Sequence, residues 1–411
     1  MSDFGNHVVA LDYRDYGDST GTACIAGVVE DLMSSKEEIA VENQSGSNEK
    51  TAKLISTSST QQSSKTSKIA ISTFVVAGGT TFIILLLFPL LLLGYPRVTH
   101  TIVFANFLTT SSNFQQPETL GLERVHNFYL DVEPGVKLGV WHFRSPLVQD
   151  KSFVDDKDYF SKHFSSQTDK NGQLIPVILY MHGNALDRAQ INRRELCDKL
   201  RNELKYHVFA FDYRGFGDST GHPSERGLLK DSRMIYDFLN KFDNGRRPIY
   251  LYGHSLGAAV AAQLAARLSD DKSTSLTSVV MEAPFINIQE ALQTHWISLL
   301  FSWQPWFSYT TNRALIRSGL KFDTKFHLTS INCPVIVLHA DDDWTVPYKH
   351  SAQLVQTGIT IRHDNRKNKK LFQFKIDLIS FHKQGYGHRL IYRAPNFIQA
   401  LKRVTYHEIL L

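Results

Sequence analysis

From residue 69 to residue 94 the chain carries no charged side chain, and residues 81–93 are almost purely aliphatic. As a helix rising 1.5 Å per residue, this run spans roughly 39 Å, enough to cross a bilayer with some tilt. A core helix would show a polar face, and this run has none. It starts too far from Met1 and is too long for a cleaved signal peptide, so it reads as one uncleaved transmembrane helix. Beyond about residue 120 the pattern changes. Apolar runs at 175–181, 249–252 and 334–338 read as buried strands, and the Ala-rich stretch 258–268 reads as a helix. Strands alternating with helices predict an α/β domain with a doubly wound, mostly parallel sheet. Residues 32–68 are different again: rich in Ser, Thr, Gln, Lys and Glu, without aromatics. Such a segment buries too little apolar area to offset its ordering entropy and is expected to be disordered. The organisation expected is therefore a disordered region 1–68, a membrane helix 69–94 and one folded domain 95–411.

Composition changes this picture only in places. The net charge of +5 is small for 411 residues and evenly spread, which gives no reason to expect a nucleic-acid partner. Cys24, Cys197 and Cys333 form neither a disulfide framework nor a metal spacing. Two buried thiols at 197 and 333 are expected, with a single bridge between them as the alternative. Lys50, Lys53, Lys65 and Lys68 precede the apolar run, whereas only Arg97 lies close after it. The positive-inside rule then puts the N-terminus in the cytosol and the folded domain on the lumenal or extracellular side. The one Asn-x-Ser/Thr sequon, Asn43-Gln44-Ser45, falls before the span and does not bear on that choice.

The candidate chemistry centres on Gly253-His254-Ser255-Leu256-Gly257, between an apolar strand and the Ala-rich helix. Strand, sharp turn, helix is the setting of a nucleophile elbow, which holds a serine hydroxyl clear of a sheet. Serine needs an imidazole to take its proton, and the imidazole needs a carboxylate to fix its tautomer. In this chain order the acid follows the serine and the histidine comes last. Asp341-Asp342-Asp343 ends the 334–338 strand, and Asp343 is the expected acid because of its spacing to Val346-Pro347. Three carboxylates in a row also raise a metal, but no Gly-bearing calcium loop follows. His388, after Gly385-Tyr386-Gly387, is preferred to His382 as the base. The strand 175–181 ends in His182-Gly183-Asn184-Ala185, so the backbone amides of Asn184 and Leu256 are the expected oxyanion donors. His182 itself reads as structural. Between Glu282 and the acid loop, His295 to Phe307 is dense in aromatics and reads as a small cap. Trp296, Phe301, Trp303 and Trp306 are its expected acyl-chain contacts, lining a pocket or dipping into the bilayer interface.

One repeat is present. HVVALDYRDYGDSTG at 7–21 and HVFAFDYRGFGDSTG at 207–221 agree at eleven of fifteen positions. The first copy has no elbow beside it and carries Asp15 in the place of Gly215, so it reads as a duplication relic or a gene-model fault.

With these residues assembled, residues 70–405 resemble the family of α/β-hydrolase domain-containing protein 12. The likeness rests on His182-Gly183-Asn184, on residues 211–219 and 223–227, and on the elbow 253–257. Glu282-Ala283-Pro284-Phe285, the acid loop 338–343 and Gly385-Tyr386-Gly387-His388 complete it. The resemblance implies an α/β-hydrolase of the endoplasmic reticulum membrane with a lumenal catalytic domain. It implies hydrolysis of lysophosphatidylserine and monoacylglycerols by Ser255, His388 and Asp343, with no cofactor or metal. The basic stretch 361–370, with Arg362, Arg366, Lys367, Lys369 and Lys370, departs from the pattern and reads either as a solvated loop or as a preference for anionic headgroups. A protein thioesterase and a non-catalytic membrane scaffold are the alternatives, since a triad cleaves oxygen and thio-esters alike and a fold can outlive its activity.

Overall fold

The computed structural model describes residues 73, 75–110, 112–148, 156–269, 276–367, 375–382 and 385–405. The predicted disorder of 32–68 and the first copy of the repeat lie outside the described residues. The chain divides into two compact units, Met1–Leu87 and Phe88–Leu411. Helix α1, Val75–Gly94, is long and apolar enough to cross a membrane, and its apolar side chains are largely exposed.

In the second unit, α2 (Pro96–Phe104) leads into the hairpin β1 (Val125–Glu133) and β2 (Val136–Phe143). Then follow α3 (Asp156–His163), β3 (Val177–Met181), α4 (Ile191–Leu204), β4 (His207–Phe211) and α5 (Glu225–Lys241). The chain continues through β5 (Ile249–His254), α6 (Leu256–Ser269) and β6 (Leu276–Glu282). A crossover of α7 (Ile288–Thr294), a 3-10 turn (Trp296–Leu300), α8 (Phe307–Arg317) and α9 (Thr324–Leu328) reaches β7 (Val335–Ala340). Last come α10 (Lys349–Lys367), β8 (Ile376–Phe381) and α11 (Phe397–Thr405). The eight strands lie in the order β1-β2-β4-β3-β5-β6-β7-β8. The first two edge pairings are antiparallel and the rest are parallel.

The strand β3 shows why its sequence is apolar throughout. Val177, Leu179 and Met181 pack into one core layer, with Leu228 and Ile235 of α5 and most of α6. Ile178 and Tyr180 pack into the other, with Leu196 and Leu200 of α4 and Phe397 and Leu401 of α11. A central parallel strand is covered on both faces, so neither parity can be polar. The alanines of α6 are buried almost all round, which lets that helix lie close against the sheet and its neighbours.

Cys197 and Cys333 are buried thiols and are not bridged to each other, as expected. The crossover between β6 and β7 supplies the predicted small cap. Arg362, Arg366 and Lys367 fall on α10 instead of a loop, while Lys369 and Lys370 lie outside the described residues. In the described copy of the repeat, Gly215 has φ +76°, and a Cβ there would come within 2.8 Å of Pro223. The Asp15 of the other copy does not suit that turn.

Candidate active site

Strand β5 ends at His254 and α6 begins at Leu256, leaving Ser255 alone on the turn with φ +55°. A non-glycine residue in that region costs about 1–3 kcal/mol, so its surroundings must hold it. The Ser255 amide donates to the Glu282 carbonyl at 2.8 Å, and its own carbonyl accepts from Ala258 at 2.9 Å. A Cβ on Gly253 would lie 2.2 Å from the Gly257 carbonyl oxygen, and one on Gly257 would lie 2.0 Å from that of Met181. Both glycines are thus required by close backbone approach.

The three aspartates at the end of β7 take different partners. Asp341 pairs with His382 at 3.3 Å on the exposed rim. Asp342 accepts the Gly387 amide at 2.9 Å, tying down the loop before His388. Asp343 is buried and its Oδ2 lies 2.6 Å from His388 Nδ1. The other oxygen, Oδ1, accepts the amides of Thr345 and Val346 at 2.8 and 2.9 Å. His339 Nε2 stands 3.2 Å from Oδ2. Burial would raise the Asp343 carboxyl, but the His388 and His339 imidazoles outweigh it and hold it well below the ordinary carboxylate range. An ionised carboxylate only accepts, so His388 carries its proton on Nδ1 and leaves Nε2 free to act as a base.

Three further groups were not singled out by the motif. His254 donates from Nε2 to the His388 carbonyl at 2.7 Å, and the two rings are 4.9 Å apart. Burial, with the neighbouring His388 ring second, holds His254 well below the ordinary imidazole range. Glu282 is fully buried at the end of β6 and accepts the Tyr252 hydroxyl at 2.6 Å. Burial pushes its carboxyl up to about 8, the opposite direction from Asp343, whose histidine partners hold it down.

Arg193, buried on α4, is the third. It donates to the carbonyls of Gly183, Asn184, Ala185 and Asp187 at 3.3, 3.4, 2.7 and 2.8 Å. These carbonyls belong to the loop after β3, which lies against the elbow: a Cβ on Gly183 would be 3.3 Å from Ser255 Cβ. The Ala185 amide donates to Phe104 of α2 at 3.0 Å. Beneath the loop, the fully buried Arg188 bonds Asp212 and Asp218 at 2.5 and 2.6 Å. That pairing gives the 211–219 motif a structural role. His182 is buried against the rings of Tyr213 and Phe216, and burial holds it neutral. It serves the packing.

A cleft beside these groups is lined by Asn184, Arg193, His254, Glu282 and His388. None of the four cap aromatics lines it. Phe301 is buried, whereas Trp296, Trp303 and Trp306 are exposed. His295, at the start of the cap aromatics, lies within electrostatic reach of His388 and Asp343.

Residues 173–326 match the family described as serine aminopeptidase, S33. The lysophosphatidylserine lipase ABHD12 of Danio rerio is 34% identical over 310 residues, covering 75% of this chain and 77% of that protein. Protein ABHD12B of Homo sapiens is 31% identical over 299 residues, covering 72% and 77% respectively. Among solved structures, an alpha-beta hydrolase from Vibrio vulnificus aligns with a TM-score of 0.51 at 16% identity, over 75% of this chain and 92% of that one. That likeness speaks for the fold alone. Sheet order, elbow and relatives agree on an α/β-hydrolase fold and a serine hydrolase.

Proposed function

The chain belongs to the α/β-hydrolase family that includes the lysophosphatidylserine lipase ABHD12, and from that membership we propose a membrane-anchored lipase that cleaves the acyl ester of single-chain lipids. Lysophosphatidylserine, other lysophospholipids and monoacylglycerols are the substrates proposed. The observation that carries the reading is the Asp343–His388 pair at 2.6 Å, whose histidine backbone is tied to His254, the residue before Ser255 on the strained elbow. Ser255 Oγ attacks the acyl carbonyl as His388 Nε2 takes its proton. The oxyanion is met by the amides of Leu256 and Asn184, each such donor contributing roughly 3 kcal/mol to the transition state. Collapse expels the glycerol oxygen, protonated by His388, and leaves an acyl-enzyme. Water, deprotonated by His388, then releases the fatty acid and restores Ser255. Asp343 keeps its charge throughout and steadies the imidazolium. Arg193 positions the oxyanion loop and His254 positions the backbone of the base.

The test is a substrate panel on membranes carrying the protein: lysophosphatidylserine, lysophosphatidylcholine, a monoacylglycerol, an acyl thioester and short soluble esters. Each methylene removed from water contributes about 0.8 kcal/mol, roughly fourfold in binding, until the pocket is filled. Long-chain monoacyl esters are expected to outcompete short ones by orders of magnitude. If the basic stretch 361–370 borders the mouth of the site, an anionic headgroup is expected to beat a zwitterionic one, by a margin that salt reduces. A preference for short soluble esters, or for the thioester, would overturn the lipase reading.

The proposed location is the endoplasmic reticulum membrane, with a single span and a lumenal catalytic domain. The four lysines before the span support it. In sealed microsomes the domain after Gly94 is expected to resist protease while an epitope before Lys68 is digested. The reverse pattern would put catalysis in the cytosol.

A further inference from the structure

Residues 291–312 contain no Asp, Glu, Lys or Arg, and the structure leaves much of their apolar surface uncovered. Trp296, Leu300, Trp303 and Trp306 are exposed, Leu299 is 71% exposed and Tyr309 is 65% exposed. A water-facing surface of a soluble domain is normally interrupted by charge, so an uncharged patch of this kind marks a contact. Phe301 and Phe307 turn the other way and stack at 5.7 Å, and Phe301 also stacks on Phe88 at 5.1 Å.

Phe88 identifies what covers the patch. It lies six residues before Gly94, the last residue of α1, which is about 9 Å of helix. Given α1 as a membrane span, Phe88 sits roughly 9 Å or less below the end of the apolar segment. A surface stacked on it is held at the depth where Trp and Tyr belts and interfacial helices reside. The composition matches that depth: indoles and a phenol among leucines, with no charge.

We propose that the exposed face of residues 296–309 is a second, interfacial contact with the lipid bilayer, through which a single-chain lipid passes to Ser255. The same segment begins at His295, within electrostatic reach of His388 and Asp343, which puts the patch and the site on one continuous stretch of chain. The proposal rests on the membrane-anchored lipase reading and adds the surface that delivers the substrate. It also accounts for tryptophans that stand outside the cleft.

The test uses the full chain in phosphatidylcholine vesicles whose acyl chains are brominated near the headgroup, against unbrominated vesicles. Three of the five tryptophans lie on the patch, and Trp141 is buried in the domain. With Trp344 replaced by Phe, emission therefore reports mainly on the patch. Bromination is expected to quench about half of it. In the Leu299→Asp/Leu300→Asp variant that quenching is expected to fall. Turnover of a long-chain monoacyl lipid held in the vesicles is expected to drop roughly tenfold or more, as burying two leucines would predict. Turnover of a soluble short-chain ester is expected to stay within about twofold, since neither leucine lines the cleft. Identical emission in both vesicles would overturn the contact without any variant. Equal losses on lipid and soluble ester would overturn the entry route. Quenching in a wild-type chain that cleaves no lipid would uphold the contact and sink the lipase reading instead.

Discussion

Replacing Ser255 by Ala is expected to lower ester turnover by roughly 10⁴- to 10⁶-fold and to abolish labelling by a fluorophosphonate probe. In the proposed mechanism the hydroxyl oxygen forms the covalent bond. Without it His388 has no proton to take and the oxyanion donors have no tetrahedral adduct to stabilise. The fold is expected to survive, because the contacts that hold the elbow are made by backbone: the Ser255 amide to Glu282 and its carbonyl to Ala258. Alanine adopts φ +55° no more easily than serine, so the strain is unchanged. Thermal unfolding measured beside turnover separates the two effects, with a midpoint within a few degrees of the wild type expected. Turnover near the wild-type rate would overturn the catalytic assignment. Absence of labelling in the wild type would instead favour the scaffold alternative.

The second large effect is expected at Asp343. Asp343→Asn should cost about 10⁴-fold in kcat with little change in stability. The reason lies in the two carboxylate oxygens. Oδ1 accepts two loop amides, from Thr345 and Val346, so an asparagine would keep its carbonyl oxygen there. Its Nδ2 would then face His388 Nδ1 and His339 Nε2, and a donor in that position favours the His388 tautomer protonated on Nε2. That tautomer has no lone pair to offer Ser255. The neighbouring aspartates provide the contrast. Asp342→Asn retains an acceptor for the Gly387 amide, and Asp341→Asn disturbs only an exposed pair with His382. Both should stay within about tenfold of wild type, as should His382→Ala, where exposed pairs contribute at most about 1 kcal/mol. Greater sensitivity at Asp342 or His382 than at Asp343 would mean that the triad is wrongly composed. Steady-state kinetics with a single long-chain ester suffices for the whole series.

The parts of this site that can be read from the chain are those whose constraint is local. An elbow demands glycines two residues either side of the serine because backbone passes within touching distance, and that demand is written in five consecutive letters. The apolar helix is equally direct, since an uninterrupted run needs no partner to be recognised. The strands announce themselves because parallel strands buried on both faces cannot alternate with polar residues. The order of serine, acid and histidine follows from where the strands end. From these local constraints the α/β class, the cap and the three proposed catalytic positions could all be written down.

What tertiary structure alone decided concerns groups brought together across long separations. Asp341, Asp342 and Asp343 are chemically identical in sequence. They differ in the partners the fold brings: His382 for Asp341, the Gly387 amide for Asp342, and for Asp343 both His388 and His339 together with two amides of its own loop. Arg193 has no motif at all. Its role exists because the carbonyls after β3 converge on one buried guanidinium, which no pattern of side chains encodes. His254 occupies the variable position of the elbow and becomes a donor only because the His388 carbonyl arrives beside it. The tryptophans of the cap were visible as an aromatic cluster, but not the direction they face. The 3-10 turn breaks the helical period, so facing is decided by the stacking of Phe301 on Phe88 and Phe307. Sequence determined which chemistry this chain can perform, because nucleophile, turn and anchor are short-range devices. Packing set the partners around each carboxylate, the Arg193 clamp and the facing of the cap tryptophans, because burial and hydrogen-bond geometry arise only when distant segments meet.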